Sequence, residues 1–244
     1  MFKRVIVFLF LATMFLFGVY DKPLFEEYET TLNTVENSRA VIDDSPSIVV
    51  GSSGIVLYTF ENQESMIIAR ATVISKDGKQ AVLELIPFDS LSQNNFPKIS
   101  IEPKEGNIVI LNYLYRRSLI VTPNYESFKK ITDFFINIEW IHPDTIAAFL
   151  AKRYIPNPNR KRFREMCSIN MAGLIAFNME NMGYFVDCVS FKVVKAFKMP
   201  IENEKTVLPF YSRISEHIGT PPISLGTREI TDYSEYYRHL LEIK

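Results

Sequence analysis

The first half of the chain alternates short apolar runs with turn residues, a pattern typical of β-strands. The runs are rich in Ile, Val, Leu and Tyr, which favour a pleated backbone. They lie at Ile48–Val50, Ile55–Phe60, Met66–Ile74, Gln80–Ile86, Ile99–Glu102 and Asn107–Tyr115. Between two of them, Asp77-Gly78 suits a type I′ hairpin turn, which needs positive φ at both central positions. Residues 24–115 are therefore predicted to form a small antiparallel β domain, either a barrel or a compact sandwich.

From residue 116 onwards the period of the apolar positions changes, and strands alternate with helices. The predicted strands are Ser118–Thr122, Ile136–Ile141 and Tyr184–Phe197. This alternation is typical of an α/β layer. Residues 116–200 are therefore predicted to form an α/β lobe of βαβααβ outline.

Three helices are predicted within this lobe. The first has an apolar stripe over residues 128–135. The second begins after His142, with Pro143 at its first position. The third is predicted as a long helix over about residues 162–181, with Gly183 as its C-cap. On this interpretation Cys167 lies in the first turns of the long helix, and Cys188 lies in the strand on which the helix packs.

Residues 201–244 form the last predicted segment, and their pattern is mixed. Val207–Ile214 is a candidate strand, and Asp232 with Glu235 resembles the capping pair at a helix start. Behind this pair, one face of a predicted terminal helix presents Tyr233, Tyr236, Tyr237, Leu240 and Leu241. We expect this helix to pack on the core, which makes the whole chain α+β with a C-terminal helix.

Residues 1–20 have the layout of a secretory signal peptide. Lys3 and Arg4 precede Val5–Tyr20, a run of 16 residues without a charge. The run is shorter than the ~20 residues that a spanning helix needs, although residues 1–20 as a whole would reach across a bilayer with tilt. The bulky Tyr20 makes a poor cleavage site, so an uncleaved membrane anchor stays open beside a cleaved signal. Either interpretation predicts export to the periplasm or the cell surface.

Composition and charge narrow the function classes. The chain has 27 Lys plus Arg against 28 Asp plus Glu, and its net charge of −1 gives no basic field for a nucleic-acid backbone. Apolar residues make up 47% of the chain and charged residues 23%, which is a globular balance. A nucleic-acid partner is therefore disfavoured, and the sequence indicates no oligomeric state.

Cys167 and Cys188 are the two cysteines of the chain. An exported chain meets an oxidising compartment, so a disulfide between them is the leading interpretation. Closing a loop of about 20 residues contributes on the order of 3 kcal/mol in the chain-entropy model. The alternative is a pair of buried free thiols.

No set of side chains in the sequence indicates a particular reaction. His142, His217 and His239 lie too far apart for a local metal signature, so no metal or cofactor is expected. His142-Pro143-Asp144 fits a helix start better than a catalytic site. Gly51-Ser52-Ser53-Gly54 lacks the Lys of a phosphate-binding loop and fits a turn. The protein is therefore expected not to be an enzyme.

Two cationic features are candidates for binding a partner. Arg160, Lys161, Arg162 and Arg164 lie at a predicted helix N-terminus, where the helix dipole disfavours cations. They either contact an anion such as a lipid headgroup or form a solvated face. Lys244, the last residue of the sequence, would present an ammonium and an α-carboxylate to a pocket with aromatic walls and charges of both signs.

Six segments, in this order over about residues 40–197, carry a family resemblance. They are DSPSIVVGSSGIVLYTF from Asp44, IIARATVI from Ile67, PKEGNIVILNYLYRRSLIVTPN from Pro103, EWIHPD from Glu139, the helix around Cys167, and YFVDCVSF from Tyr184. Together they resemble the N-terminal domain of the plasminogen-binding protein A family, exported proteins of Gram-negative bacteria. The resemblance implies an envelope or surface protein that binds host plasminogen, whose kringle modules take up lysines, especially terminal ones. Larger members of the family carry a lysine-rich extension that this sequence lacks. If that extension binds plasminogen, Lys244 is the residue of this sequence to which the binding role carries over.

Three hypotheses follow, in this order. The first is an envelope protein that binds plasminogen through Lys244 without catalysis. The second is a periplasmic scaffold or assembly factor with no plasminogen role, suggested by the two lobes. The third is an enzyme with a site between the lobes that uses His142 or Asp144.

Overall fold

The structure is a computed structural model that describes residues 23–88, 101–200, 205–219 and 230–243. Its strands are β1 (Tyr28–Thr31), β2 (Thr34–Glu36), β3 (Arg39–Asp43), β4 (Ser53–Thr59), β5 (Ser65–Lys76), β6 (Gln80–Pro87), β7 (Ile108–Leu111), β8 (Arg117–Val121), β9 (Glu139–Ile141), β10 (Leu174–Met179), β11 (Met182–Asp187) and β12 (Val193–Lys198). Its α-helices are α1 (Tyr125–Phe134), α2 (Pro143–Lys152), α3 (Arg160–Ile169) and α4 (Tyr233–Leu241), and a 3₁₀ turn covers Ser215–His217. The predicted leader and Lys244 lie outside the described residues.

The first seven strands form one antiparallel sheet in the order β1-β7-β4-β5-β6-β3-β2. β1 and β2 lie on opposite edges of this sheet, yet they are separated only by Leu32 and Asn33. The amide of Leu32 donates to Asn107 O (2.9 Å), beside β7, and the amide of Asn33 donates to Val41 O (2.8 Å), in β3. One bent segment thus bonds to both edges, and the sheet curls round on itself. The predicted antiparallel β architecture of this part of the chain is confirmed, as a curled seven-stranded sheet.

Two local predictions in this sheet were wrong. Ile48–Val50 is not a strand but the approach to a turn at Gly51, whose φ is +98°. The three strands from Tyr28 to Asp43 were missed because their Glu and Thr positions look polar, although Ala40 and Ile42 of β3 face the core. Period-two burial of this kind is the signature of a sheet with one buried face.

The second sheet has the order β12-β11-β10-β8-β9, with β8 parallel to both β9 and β10. The chain moves from β8 to β9 in one direction and from β9 to β10 in the other, and right-handed crossovers then require helices on opposite faces. On β8, Ile120 packs in the same cluster as Ile131 of α1, while Leu119 and Val121 pack in the cluster of α2, α3 and α4. Both faces of this sheet are therefore covered, at least in part, by helices.

The long helix predicted over residues 162–181 is wrong, because α3 ends at Ile169 and the chain continues as β10 and β11. Every residue of β10 is buried, and a continuous apolar run does not distinguish a buried strand from a buried helix by its period. Gly183 lies within β11 rather than at a helix end, and a Cβ there would collide with the ring of Phe197. The predicted strand Tyr184–Phe197 is a hairpin of β11 and β12, so the outline is βαβααβββ.

The C-terminal segment contains the predicted helix but not the predicted strand. Residues 207–214 form no strand; instead, the amides of Val207 and Tyr211 donate to Pro123 O and Thr122 O, each at 2.7 Å. Pro209 has no amide to continue such a ladder. The helix α4 is confirmed, and Asp232 caps it by accepting the amide of Glu235 at 2.8 Å. The α+β class with a C-terminal helix is likewise confirmed.

A buried carboxyl group joins the two sheets. Asp187, at the end of β11, accepts hydrogen bonds from Ser53 Oγ (2.5 Å) and Tyr115 Oη (2.7 Å). Its other oxygen accepts the amides of Val189 (2.9 Å) and Ser190 (2.6 Å). Burial raises the pKa of Asp187, while these hydrogen bonds act in the opposite direction. The predicted Gly-Ser turn thus leads into β4, where Ser53 donates a hydrogen bond to the carboxyl group of Asp187 in the other sheet.

Candidate partner-binding surface

Three tyrosines attach the C-terminal helix α4 to strand β8 and to the segments around Pro158 and Pro209. Tyr233 Oη donates to Val121 O (3.0 Å), Tyr237 Oη to Pro209 O (3.0 Å) and Tyr236 Oη to Pro158 O (3.1 Å). Burial raises the pKa of Tyr233 and Tyr237 well above the usual range, so both remain neutral donors. The helix is therefore held at several points along its length.

The end of α4 is closed by a backbone cap and by a cation from α3. Glu242 adopts a left-handed conformation (φ +57°), and the amide of Ile243 donates to Arg238 O at 3.1 Å. Arg160 Nε donates to Leu240 O (2.8 Å), and its Nη2 lies 2.8 Å from Glu242 Oε1. This hydrogen bond lowers the pKa of Glu242, and the guanidinium compensates the negative end of the helix dipole. The chain is thus fixed as far as Ile243.

The sequence singled out Lys244 for partner binding, and this residue lies outside the described part of the chain. Its neighbourhood is described up to Ile243, which is partly buried. Glu242 is exposed, and its second oxygen lies 3.8 Å from Lys192 Nζ. The fixed end of α4 therefore lies at the surface, between Arg160 and Lys192.

The basic cluster at the start of α3 makes contacts within the protein. Besides Arg160, Arg162 pairs with Glu165 (Nη1 to Oε2, 2.9 Å), and Arg164 Nε donates to Val189 O (3.0 Å). Two of these cations, Arg160 and Arg164, therefore bind neighbouring segments, whereas Arg162 pairs within its own helix. Among them only Arg160 acts at the candidate surface, and its partner Glu242 lies 82 residues further on, too far for a local pattern to reveal.

Three lysines of the β11–β12 hairpin were not singled out by the sequence. Lys192, Lys195 and Lys198 are exposed at or near β12, which is an edge strand of the second sheet. Lysines on an edge strand discourage pairing with other chains. They also form a second group of accessible lysines, which any test of a lysine-binding partner has to separate from Lys244.

His142 and Asp144, the residues of the enzyme hypothesis, have local structural partners. His142 Nδ1 accepts the amide of Asp144 (3.2 Å) and so caps α2. Asp144 accepts Ser212 Oγ (3.0 Å) and Arg213 Nε (2.6 Å), and it thereby ties α2 to the segment before α4. The hydrogen bonds from Arg213 and Ser212 lower the pKa of Asp144 against the effect of its burial.

The two cysteines form a disulfide that joins α3 to the end of β11. Cys167 and Cys188 are buried, and their Cα atoms lie 6.1 Å apart. Cys167 lies near the end of α3 rather than at the start of a long helix. The bridge is adjacent to Asp187 in sequence, so it constrains the same end of β11 that contacts the first sheet.

We expect removal of this disulfide to lower the free energy of unfolding by about 3 kcal/mol, because the unfolded chain regains the entropy of an open loop. The measurement is urea unfolding of the oxidised protein and of the Cys167→Ala/Cys188→Ala variant. A reductant should lower the stability of the parent protein and leave the variant unchanged. Equal midpoints for the oxidised parent and the variant would contradict the prediction.

Within the described ranges, no three His, Cys, Asp or Glu side chains converge on a possible metal position. In the same ranges no helix is both long enough and apolar enough to span a membrane.

The fold and the candidate surface define an α+β domain of two sheets with a firmly attached C-terminal helix. Residues 27–241 match the family described as "Plasminogen-binding protein pgbA N-terminal", and the chain belongs to this family. It is 23% identical over 195 residues to the plasminogen-binding protein PgbA of Helicobacter pylori strain J99 and 22% identical to that of strain 26695. Each alignment covers 79% of this chain and 42% of the relative. The chain thus spans less than half the length of the curated relatives it matches.

Proposed function

We propose that this protein is an exported cell-envelope protein that binds plasminogen through lysine and catalyses no reaction. The match of residues 27–241 to the plasminogen-binding family supports this proposal most directly. Both relatives named above are plasminogen-binding proteins. The charge-free run over Val5–Tyr20 supports export, and the buried disulfide suits an oxidising compartment.

Lys244 is the residue that we propose for capture by plasminogen. The helix before it is fixed by Arg160 and by the backbone cap at Glu242. A ligand that extends from a fixed support loses little conformational freedom on binding, since only its own torsions have to be ordered. The ammonium of Lys244 is the group that we propose a lysine-binding pocket with aromatic walls recognises.

The experiment is binding of the full chain to immobilised plasminogen, with and without a free lysine analogue. We expect the analogue to abolish binding and deletion of Lys244 to weaken it at least tenfold, because the deletion removes the ammonium that the pocket recognises. The matched control is the variant Lys192→Ala/Lys195→Ala/Lys198→Ala, which removes three exposed lysines and retains Lys244. We expect this control to bind within about twofold of the parent protein.

Two results would contradict the proposal at different levels. If deletion of Lys244 changes nothing and the triple variant loses binding, the lysines of the β11–β12 hairpin are the binding residues. If the parent chain does not bind plasminogen, this member of the family lacks the activity for which its relatives are named.

A further inference from the structure

The face of the second sheet that carries α1 is also where the N-terminal segment enters the fold. Leu24 and Phe25 pack against the cluster that contains Ile120 and Ile131. The ring of Phe25 makes edge-to-face contacts with Tyr115 at 5.2 Å and with Phe185 at 5.6 Å. The described part of the chain therefore begins on this face, and residues 1–22 precede it in the sequence.

The same face has the most exposed large apolar side chains among the described residues. Phe134 is 71% exposed and Ile136 is 67% exposed, at the end of α1. The ring of Phe134 lies 4.8 Å from Phe135, which in turn packs on Phe185 at 5.2 Å. Phe134 therefore lies on the rim of the aromatic cluster that holds Phe25, and Ile136 directly follows Phe135 in the chain. Exposed apolar groups that lie together indicate a contact surface.

The loop after α1 lies beside Pro23, the first residue that the structure describes. Pro23, Arg116 and Asn137 line one surface pocket, and Asn137 directly follows Ile136. Only Asp21 and Lys22 separate Pro23 from the charge-free run that ends at Tyr20. At no more than about 3.5 Å per residue, a bilayer that accepts this run lies within about 10 Å of Pro23.

We propose that residues 1–20 are retained as a membrane anchor and that Phe134 and Ile136 insert into the lipid interface beside it. The C-terminal end of α1 then lies at the lipid interface, while the exposed ion pair of Lys129 and Asp133 remains in the polar headgroup region. Trp140, which is partly buried, belongs to the same cluster, and its Nε1 donates a hydrogen bond to Phe135 O (3.2 Å). Tryptophan rings are favoured at membrane interfaces. The inference is independent of plasminogen binding, because it concerns the opposite face of the sheet.

The charges around this face favour apolar insertion over recognition of anionic headgroups. Arg116 and Lys195 are exposed cations, and Lys195 Nζ lies 5.8 Å from the Phe25 ring. Glu26 and Glu27 are exposed anions beside the same pocket, and on α1 the exposed Lys129 and Asp133 form an ion pair. The signs balance, so the occupant that fits is the acyl boundary of a bilayer rather than a particular anionic lipid.

This orientation places α4 away from the bilayer. The side chain of Val121 packs in the same cluster as Tyr233 and Tyr237 of α4, while the neighbouring Ile120 packs on the side of α1. Successive residues of a strand point to opposite faces of the sheet. A protein anchored through the face of α1 therefore presents α4 on its outer side, where a soluble partner can reach it.

The test places the full chain in phosphatidylcholine vesicles that contain brominated acyl chains, which quench nearby tryptophan emission. Phe134→Trp reports on the proposed face, and Ile169→Trp is the matched control, because Ile169 is 60% exposed at the end of α3. Emission from Trp140 is subtracted with the parent protein. We expect at least twofold stronger quenching at position 134 than at position 169.

Three outcomes would overturn the inference. The first is equal quenching at positions 134 and 169. The second combines two observations: position 134 is not quenched, and the chain self-associates in vesicles unless it carries Phe134→Ser. That result would make this face a contact between copies of the chain. The third is mass spectrometry of protein recovered from the producing cell's envelope that shows a chain beginning near residue 21. A chain that retains its first 20 residues supports the inference.

Discussion

Replacement of Asp187 by alanine is expected to lower the free energy of unfolding by about 3–5 kcal/mol, because it orphans two buried hydroxyls and two partly buried amides at once. Two of these donors, Ser53 Oγ and Tyr115 Oη, belong to segments at the first sheet, and two are amides of the turn after β11. The side chain of Asp187 is fully buried, so water cannot replace the lost acceptor. Urea unfolding of the variant and the parent protein measures the difference.

Asp187→Asn is the matched control for this prediction. Its amide oxygen still accepts the amides of Val189 and Ser190, and its NH₂ group can donate to the hydroxyl oxygens of Ser53 and Tyr115. We therefore expect a loss of only about 1–2 kcal/mol. A loss at Asp187→Ala no larger than at Asp187→Asn would show that the cluster does not hold the two sheets together.

The pH dependence of stability gives a further check on Asp187. Burial raises the pKa of Asp187 above its usual value of 3.8, so the folded state binds more protons than the unfolded state between the two pKa values. The free energy of unfolding should therefore decrease as the pH rises from about 4 through the folded-state pKa. Asp187→Asn lacks this titration, so the stability advantage of the parent protein over the variant should shrink with rising pH in that window. An advantage that grows with pH would contradict the direction of the shift.

The second large effect is expected at Tyr237, where alanine should lower the free energy of unfolding by about 3–5 kcal/mol. The ring of Tyr237 is fully buried between α4 and the second sheet, 5.4 Å from Phe177 and 4.8 Å from Tyr233. Its removal leaves a cavity that the surrounding rings fill only in part. Urea unfolding measures the loss of stability, and limited proteolysis reports whether α4 separates from the sheet.

Tyr237→Phe separates the packing of the ring from its hydrogen bond. It deletes only the hydroxyl that donates to Pro209 O, so we expect a loss of about 1 kcal/mol and no new proteolytic site. If the phenylalanine variant is as unstable as the alanine variant, the hydrogen bond rather than the ring holds α4. If neither variant is destabilised, α4 does not contribute to the stability of the core.

Elements with strong local signals were predictable from the sequence. The helix α4 has its cap at Asp232 and an apolar face that recurs every three or four residues, and both features act within one turn of the chain. The same is true of α2, whose start at Pro143 follows from the fixed φ of proline. The family could also be recognised, because the order of its segments along the chain is itself a property of the sequence.

Elements defined by burial on two sides were not predictable in the same way. β10 looks like part of a helix, since all six of its residues are buried and no polar face marks a period. The strands β1 and β2 look polar, and their place in the sheet depends on pairing with β7 and β3, which lie elsewhere in the sequence. Pairing partners of this kind are chosen by the whole sheet rather than by local preference.

The candidate surface likewise combines features that the sequence predicts with contacts that only the folded chain brings together. The sequence by itself determined the export-like leader, the cysteine pair, the terminal helix and the family, because each rests on residue types within a short stretch or on segment order. Only the tertiary structure decided that Arg160 closes the end of α4, that Asp187 joins the two sheets, and that the loop after α1 lies beside Pro23. Each of these contacts joins residues far apart in the chain, and the packing of both sheets brings them together.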